Sequence, residues 1–217
     1  MMTLHGKRIL CLSAHADDFE LGCGGFIASQ APGVEIWVSV MTMNRRNAHG
    51  DLQEERSLDE QLGALDILGI ERQRLILPEG IDGQLFPECR QRLLEALYAL
   101  DKELSPDLVL TTSYHDVHQD HVTLCHCAHK AFKRRSLLGY EVPNSSHGFQ
   151  PNLAVHINAE AMERKCRAVA AYRSQLQQTT GDYFSSDMIQ SLARAKGVRF
   201  GLPYAECFEV YWLLTQS

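Results

Sequence analysis

The chain has 217 residues, with 21 Lys+Arg against 27 Asp+Glu for a formal charge of −6, and it is 45% apolar and 22% charged. This is the composition of an ordinary globular protein, not of a disordered chain. The acidic balance argues against an electrostatic grip on nucleic acid or anionic lipid, and no apolar run approaches the ~18 residues that a membrane helix needs.

Lys7 to Ala14 is a short apolar run that predicts a buried strand. A helix follows, opened by Asp17-Asp18 and closed by Pro32-Gly33. Val34 to Thr42 is β-rich and predicts strand two. Residues near 51 to 69 predict a helix with Leu58, Leu62 and Leu65 on one face. Arg74 to Leu77 predicts strand three, closed by Pro78. Leu93, Leu97, Leu100 and Leu104 repeat at helical spacing, and Asp107 to Thr112 predicts strand four. Residues 118 to about 135 predict a further helix, and 139 to 152 a loop rich in Gly, Pro, Asn and Ser. Leu153 to Asn158 predicts a strand, Glu160 to about Gln175 a helix, and the alternation of Phe208, Val210, Trp212 and Leu214 a final strand. Strands alternating with helices imply βαβ units, so the expected fold is a Rossmann-like, doubly wound α/β domain over residues 1–217. Its mostly parallel sheet carries helices on both faces.

There are ten histidines, four of them between residues 115 and 126, and seven scattered cysteines. The cysteines have no framework, and Met1 to Gly6 is too short and polar for a signal peptide. Reduced thiols and a cytoplasmic location are therefore expected.

In an open parallel sheet, ligands bind beyond the carboxyl ends of the strands. The chemistry-bearing residues collect there: His15, Asp17 and Asp18 after strand one; Asn44, Arg45 and Arg46 after strand two; Glu79 and Asp82 after strand three. After strand four comes His115-Asp116-Val117-His118-Gln119-Asp120-His121. His15, Asp18 and His121 form a nitrogen and hard-oxygen set suited to Zn²⁺ or a similar divalent ion. Asp17, next to such a ligand, is placed to take a proton from water. Taken singly, Asp17 or Asp18 also reads as a helix cap, and the Arg45-Arg46 pair as a solvated loop tip. For Cys125-His126-Cys127, packing is favoured over a thiolate zinc site, which needs more spaced thiols.

The segment Ala14-His-Ala-Asp-Asp-Phe-Glu-Leu-Gly-Cys-Gly-Gly25, followed by His118-Gln-Asp-His121, resembles the PIG-L/LmbE-type zinc-dependent N-deacetylases. Further likenesses lie at Arg56-x-x-x-Glu60, Asp82-Gly83, Lys165 with Tyr172-Arg-Ser-Gln175, and Ala205-Glu206-x-Phe208. The resemblance implies a metal-dependent hydrolase that removes an N-acetyl or other short N-acyl group from an amino sugar or an N-acetylglucosamine-containing conjugate. It implies His15, Asp18 and His121 as ligands of Zn²⁺ (or another divalent transition metal such as Fe²⁺). It makes Asp17 the general base, His118 a cation steadying the oxyanion, and Asp120 the residue that tunes His118. Arg56, Asp82, Arg45 and Tyr172 would face the substrate. Ala16 stands where the family usually has Pro, and Thr42-Met-Asn-Arg45 replaces its frequent Thr-x-Gly-Glu. Alternative readings are a zinc-dependent hydratase of an unsaturated carboxylic acid, and a non-catalytic sugar- or nucleotide-binding domain. The implied partner is a small-molecule amino-sugar conjugate, and the apolar terminal strand leaves a homo-oligomer open.

Overall fold

The computed structural model describes residues 8–30, 32–46, 52–54, 58–83, 85–178 and 182–214. Strands β1 (Arg8–His15), β2 (Glu35–Thr42), β5 (Leu75–Ile76), β6 (Leu108–Thr112), β7 (Ser136–Tyr140), β8 (Leu153–His156) and β9 (Ala205–Trp212) form one sheet in the order β5-β2-β1-β6-β7-β9-β8. The pairs among β5, β2, β1, β6 and β7 are parallel. Strand β9 runs antiparallel to both β7 and β8.

The period-2 geometry of β1 supplies both cores at once. Ile9 and Cys11 join the cluster under helices α1 (Asp18–Ala28), α2 (Leu58–Leu68), α5 (Ala159–Val169) and α7 (Ser186–Val198). Leu10 and Leu12 join the cluster under α3 (Arg90–Leu104) and α4 (Gln119–Ala131). The Leu93, Leu97, Leu100 and Leu104 stripe of α3 is buried there. From β1 the chain first winds outward through β2 to β5, then returns to the other side of β1 as β6. The strand order therefore reverses between β1 and β6, and a crevice opens at their carboxyl ends.

Helix α1 is set unusually close to its neighbours. A Cβ on Gly22 would run into the Tyr140 ring and sit 2.8 Å from the Glu141 carbonyl oxygen; one on Gly25 would lie 3.0 Å from Glu206 Oε1. These glycines serve packing, not a phosphate cradle. The helix is broken at Cys23 (φ −137°, ψ 15°). Buried Glu206 fills the break, accepting from Gly25 N–H at 3.0 Å and Phe26 N–H at 2.6 Å. Lys165 donates to Glu206 Oε1 at 2.5 Å and to the Leu21 carbonyl at 2.6 Å, the oxygen a continuous helix would have offered to Gly25.

Three elements differ from the expected pattern. The predicted helix near 51–69 begins only at Leu58; before it, β3 (Asn44–Arg46) and β4 (Leu52–Glu54) pair antiparallel as a hairpin. Strand β7 falls between a predicted helix and a predicted loop. Its Gly139 looks like a strand breaker but leaves the room that the Tyr211 ring occupies. The helix expected from Glu160 to about Gln175 ends at Val169, and α6 (Arg173–Gln178) and α7 follow as separate helices; Ser185 caps α7 by accepting from Met188 N–H. No helix among the described residues is long and apolar enough to cross a membrane.

Gly22→Ala is expected to destabilise the protein by about 1–3 kcal/mol, the usual penalty for overpacking. Both a ring and a backbone carbonyl must move to admit the methyl group. The urea midpoint at unchanged m-value reads this out; a midpoint equal to the native one would show that α1 can back away from β7 freely.

Candidate metal centre

The turn after β1 is built so that its carboxylates are not spent on capping. Ser13 Oγ accepts the Phe19 N–H at 3.1 Å. Asp17 occupies the cap position of α1, but its side chain makes no capping bond, and its backbone is left-handed at φ 83°. A non-glycine residue adopts that conformation at a penalty of about 1–2 kcal/mol. The Asp17 carboxylate is buried beside this strained turn, next to Asp18. Asp18 Oδ2 accepts the His15 N–H at 2.7 Å. The plain helix-cap reading therefore fails for both aspartates.

His15, Asp18 and His121 converge from β1, α1 and α4, with one candidate ligand atom from each lying within 4.8 Å of the others. His15 Nδ1 faces Asp18 Oδ2 at 3.6 Å, and His121 Nε2 faces Asp18 Oδ1 at 3.4 Å. His121 Nε2 is buried and has no hydrogen-bond partner. The opposite nitrogen of each ring is held by a second carboxylate. His15 Nε2 bonds Asp120 Oδ2 at 3.0 Å, and His121 Nδ1 bonds Asp116 Oδ2 at 3.0 Å. Carboxylate-backed imidazoles turned toward a shared oxygen ligand are the arrangement that metal-ligating histidines adopt. The donor set fits a borderline divalent ion such as zinc. A second trio, His15, His118 and Asp120, is equally compact. Its atoms are already engaged: Asp120 Oδ1 accepts the Phe86 N–H at 3.1 Å, Oδ2 holds His15, and His118 Nδ1 accepts the Asp120 N–H at 3.2 Å. The Asp18 trio is the better cation site.

The electrostatics agree. Burial alone would depress the His121 imidazole, but Asp18 and Asp116 hold its pKa up at about 10. His15 is raised against the same burial by Asp120 and Asp18. Burial works against ionisation of Asp18, yet His121 and His15 keep it well below the usual carboxylate range. The pocket is thus poised for positive charge, carried by protons or by a metal. His118 stacks on His121 with centroids 4.6 Å apart and meets His15 edge-on at 5.0 Å. Burial, and then the charges of His121 and His15, push its pKa down to about 4. With Nδ1 accepting a backbone N–H, the ring is neutral and carries its proton on Nε2.

Several expectations are corrected. His118 Nδ1 accepts a backbone N–H, the geometry of a ring with its hydrogen on Nε2 and not of the expected cation. The Asp120 carboxylate orients His15 and ties down the turn at Phe86; toward His118 it acts through its charge, which works against the fall in that ring's pKa, and through its backbone N–H. Tyr172 does not line the pocket: it is fully buried, and its hydroxyl donates to Glu20 Oε1 at 2.7 Å. Asp82 is half-buried on a turn beside a cleft of about 360 Å³ that Leu85, Cys89 and Arg92 also line. Arg45 is placed by its backbone, paired with Gln53 in the β3–β4 hairpin. Arg56 lies outside the described residues. Glu60, the other end of that motif, accepts Ser174 N–H at 2.9 Å and Ser174 Oγ–H at 2.7 Å. Cys125 and Cys127 are buried, as packing predicts. Asp116 had no assigned task in the sequence; the available signal was a carboxylate five residues before a ligand at a strand end.

The PIG-L family model, described as GlcNAc-PI de-N-acetylase, matches residues 10–132. The uncharacterized deacetylase YaiS of Escherichia coli K12 is 29% identical over 180 residues, covering 77% of this chain and 91% of that protein. The conserved protein TT1542 of Thermus thermophilus superposes with a TM-score of 0.72 at 26% identity, covering 96% of each chain. The N,N'-diacetylchitobiose deacetylase of Pyrococcus horikoshii superposes with a TM-score of 0.72 at 21% identity, over 94% of this chain and 84% of its own. The last likeness shows the fold alone.

Behind Asp17 lies Glu20, fully buried, with Oε1 accepting from Tyr172 and from Gln61 Nε2 at 3.0 Å, and with Oε2 unpartnered. Burial raises its pKa to about 8, with Asp17 adding to the rise. A carboxyl raised in the folded state stabilises most below its unfolded pKa, and that stability is lost as pH climbs through the folded value. Glu20→Gln is therefore expected to gain on the native protein between pH 5 and pH 8, by a few kcal/mol in all, and to gain no more above that. Urea unfolding across the pH series measures the difference; a constant difference would show that Glu20 ionises normally in the fold.

Proposed function

The chain belongs to the PIG-L family, and on that footing we propose that it is a metal-dependent N-deacetylase. Its substrate class is an amino sugar or N-acetylglucosamine-containing conjugate, from which it removes an acetyl or other short N-acyl group. The observation that carries this reading is the pair of imidazoles, His15 and His121, each backed by its own buried carboxylate and both turned toward Asp18. These three residues would hold Zn²⁺ or another divalent transition ion such as Fe²⁺. Such an ion supplies Lewis acidity and makes water acidic near neutral pH. The reduced, mostly buried cysteines accord with a cytoplasmic location.

Asp17 is the general base. It takes the proton of the attacking water as the water oxygen bonds to the amide carbon. The neutral His118 donates its Nε2–H to the carbonyl oxygen as negative charge develops there, the kind of preorganised donor that contributes most to acyl transfer. Asp17 then returns the proton to the amide nitrogen as the C–N bond breaks, giving a free amine and a carboxylic acid. A neutral His118 keeps its own proton throughout, so one carboxylate carries both transfers. Asp82, on the turn beside the cleft lined by Leu85, Cys89 and Arg92, and Arg45, in β3, are assigned to the rest of the substrate by likeness to the family. Arg56 is assigned to the same role by likeness to the family. The electrophile and the two carboxylates also suit addition of water to a carbon–carbon double bond, which the substrate screen distinguishes.

Asp17→Asn is expected to retain one metal ion per chain and to lose about 10²–10⁴-fold in kcat, the usual contribution of a positioned base. Metal analysis and steady-state kinetics decide it; a kcat near native would remove Asp17 from that role. A second measurement addresses the substrate class. The metal-loaded protein should release acetate and a free amine from some member of a panel of N-acetylglucosamine conjugates, nucleotide-linked and lipid-linked forms included. Hydration of an unsaturated carboxylic acid, with no amide cleaved, would replace the deacetylase reading by the hydratase one.

A further inference from the structure

Asp116 is the most heavily engaged carboxylate around the centre, and none of the proton transfers above uses it. Its side chain is fully buried. Oδ2 accepts three donors: His121 Nδ1–H at 3.0 Å, Ser145 Oγ–H at 3.0 Å and Ser146 Oγ–H at 2.7 Å. Oδ1 accepts the His118 N–H at 2.8 Å. The two serines belong to the segment after β7. That segment is stitched to the loop after β6 by Val117 N–H to the Ser145 carbonyl at 3.1 Å and by Gly148 N–H to the His115 carbonyl at 3.3 Å. Ser146 Oγ also accepts the Val142 N–H at 2.9 Å, so its hydroxyl hydrogen is directed at Asp116.

We infer that Asp116 is the positioning residue of the centre, a carboxylate clamped by Ser145 and Ser146 that commits His121 to ligate through Nε2. The inference rests on the reading of His121 as a metal ligand. The physical case is one of donors and acceptors. A neutral imidazole has one N–H and one lone pair, and the nitrogen facing an acceptor keeps the hydrogen. In the neutral ring that a ligand has to be, Asp116 on Nδ1 leaves the lone pair on Nε2, the buried atom that has no hydrogen-bond partner. The same carboxylate fixes the backbone at His118, so the ligand and the Nε2–H donor beside it share one anchor. Two hydroxyls on Oδ2 stop the carboxylate from rotating away. The segment after β7 thereby becomes part of the metal site without contributing a ligand.

The test uses Co²⁺ on the full chain stripped of metal. Affinity is measured by competition with a chelator, and the His121 tautomer by nitrogen-15 NMR of the imidazoles with diamagnetic Zn²⁺ in place of Co²⁺. Asp116→Ala is expected to weaken Co²⁺ binding about 10–100-fold, as loss of an outer carboxylate typically does, and to abolish the fixed Nδ1–H tautomer. Asp116→Asn keeps one oxygen for His121 but turns an amide N–H₂ toward the His118 N–H. It should weaken binding by roughly tenfold while retaining the tautomer. The Ser145→Ala/Ser146→Ala double variant leaves Asp116 in place and should weaken binding by a smaller factor, keeping the inference testable if Asp116→Ala does not fold. A purely structural role would lower Tm in these variants and leave the Co²⁺ affinity and the tautomer as in the native protein; that result overturns the inference. If the native protein binds no Co²⁺, or if His121→Ala binds it as tightly as native, the metal-site reading falls first and this inference with it.

Discussion

Helix α1 begins at Asp18 with Asp17 at its cap, and its backbone is held by a buried charge pair that lies away from them. The break at Cys23 frees two backbone N–H groups in the interior, where unpaired donors are expensive. Glu206 satisfies both, and Lys165 neutralises Glu206 while taking the carbonyl that the break orphans. Removing one member of such a buried pair typically costs about 3–5 kcal/mol, because the other charge is left without a partner. The glycines of α1 follow from the same constraint: the helix must come near enough for Glu206 to reach its backbone, and side chains on that face would keep it away. Only with the helix so placed does the strained turn at Asp17 point where it does.

The centre itself runs on pairing of a different kind. Four carboxylates and three imidazoles are packed into a region almost closed to water, with His15 at 6% exposure and Asp17, Asp18 and His121 at 3% each. Charges at that depth are tolerated only when each is matched. His15 is matched by Asp18 and Asp120, His121 by Asp18 and Asp116, and what remains for His118 is neutrality. The division of labour among three similar side chains thus comes from their neighbours. Two rings with a carboxylate behind them are set to hold a cation; the one with a backbone N–H behind it is set to donate a single hydrogen bond.

Much of this was legible in the order of residues. Short β-rich runs separated by helical leucine spacing placed β1, β2 and β6, and with them the rim where ligands gather. The convergence of His15, Asp18 and His121 was legible because few residue types bind metals and these fell at adjacent strand ends. What escaped depended on partners distant in sequence. Gly139 reads as a breaker until Tyr211 is seen above it. Residues 52–54 pair with residues 44–46 as antiparallel strands, where the leucine spacing predicts a helix from about residue 51. Tyr172 has the polar tip of a pocket residue, but it meets Glu20 across 152 positions. Asp116 and Asp120 were separable only once the loop geometry showed which carboxylate reaches which ring, since both lie within five residues of His121.

The sheet order carries a consequence for how the molecule is made. Strand β9 is the last strand, yet it lies between β7 and β8. It also supplies Glu206, whose bond to Gly25 spans 181 positions. During synthesis, the aspartate turn and the first histidine leave the ribosome early, followed by every other ligand. The bonds that hold the break in α1 wait until residues 205–212 have emerged and paired beside β7. Strand β8 must wait, unpaired, for the same event. Such long-range closure is slow and exposes strand edges meanwhile. A ribosome-bound chain that stops short of β9 therefore carries His15, Asp18 and His121 without the Glu206 that secures α1.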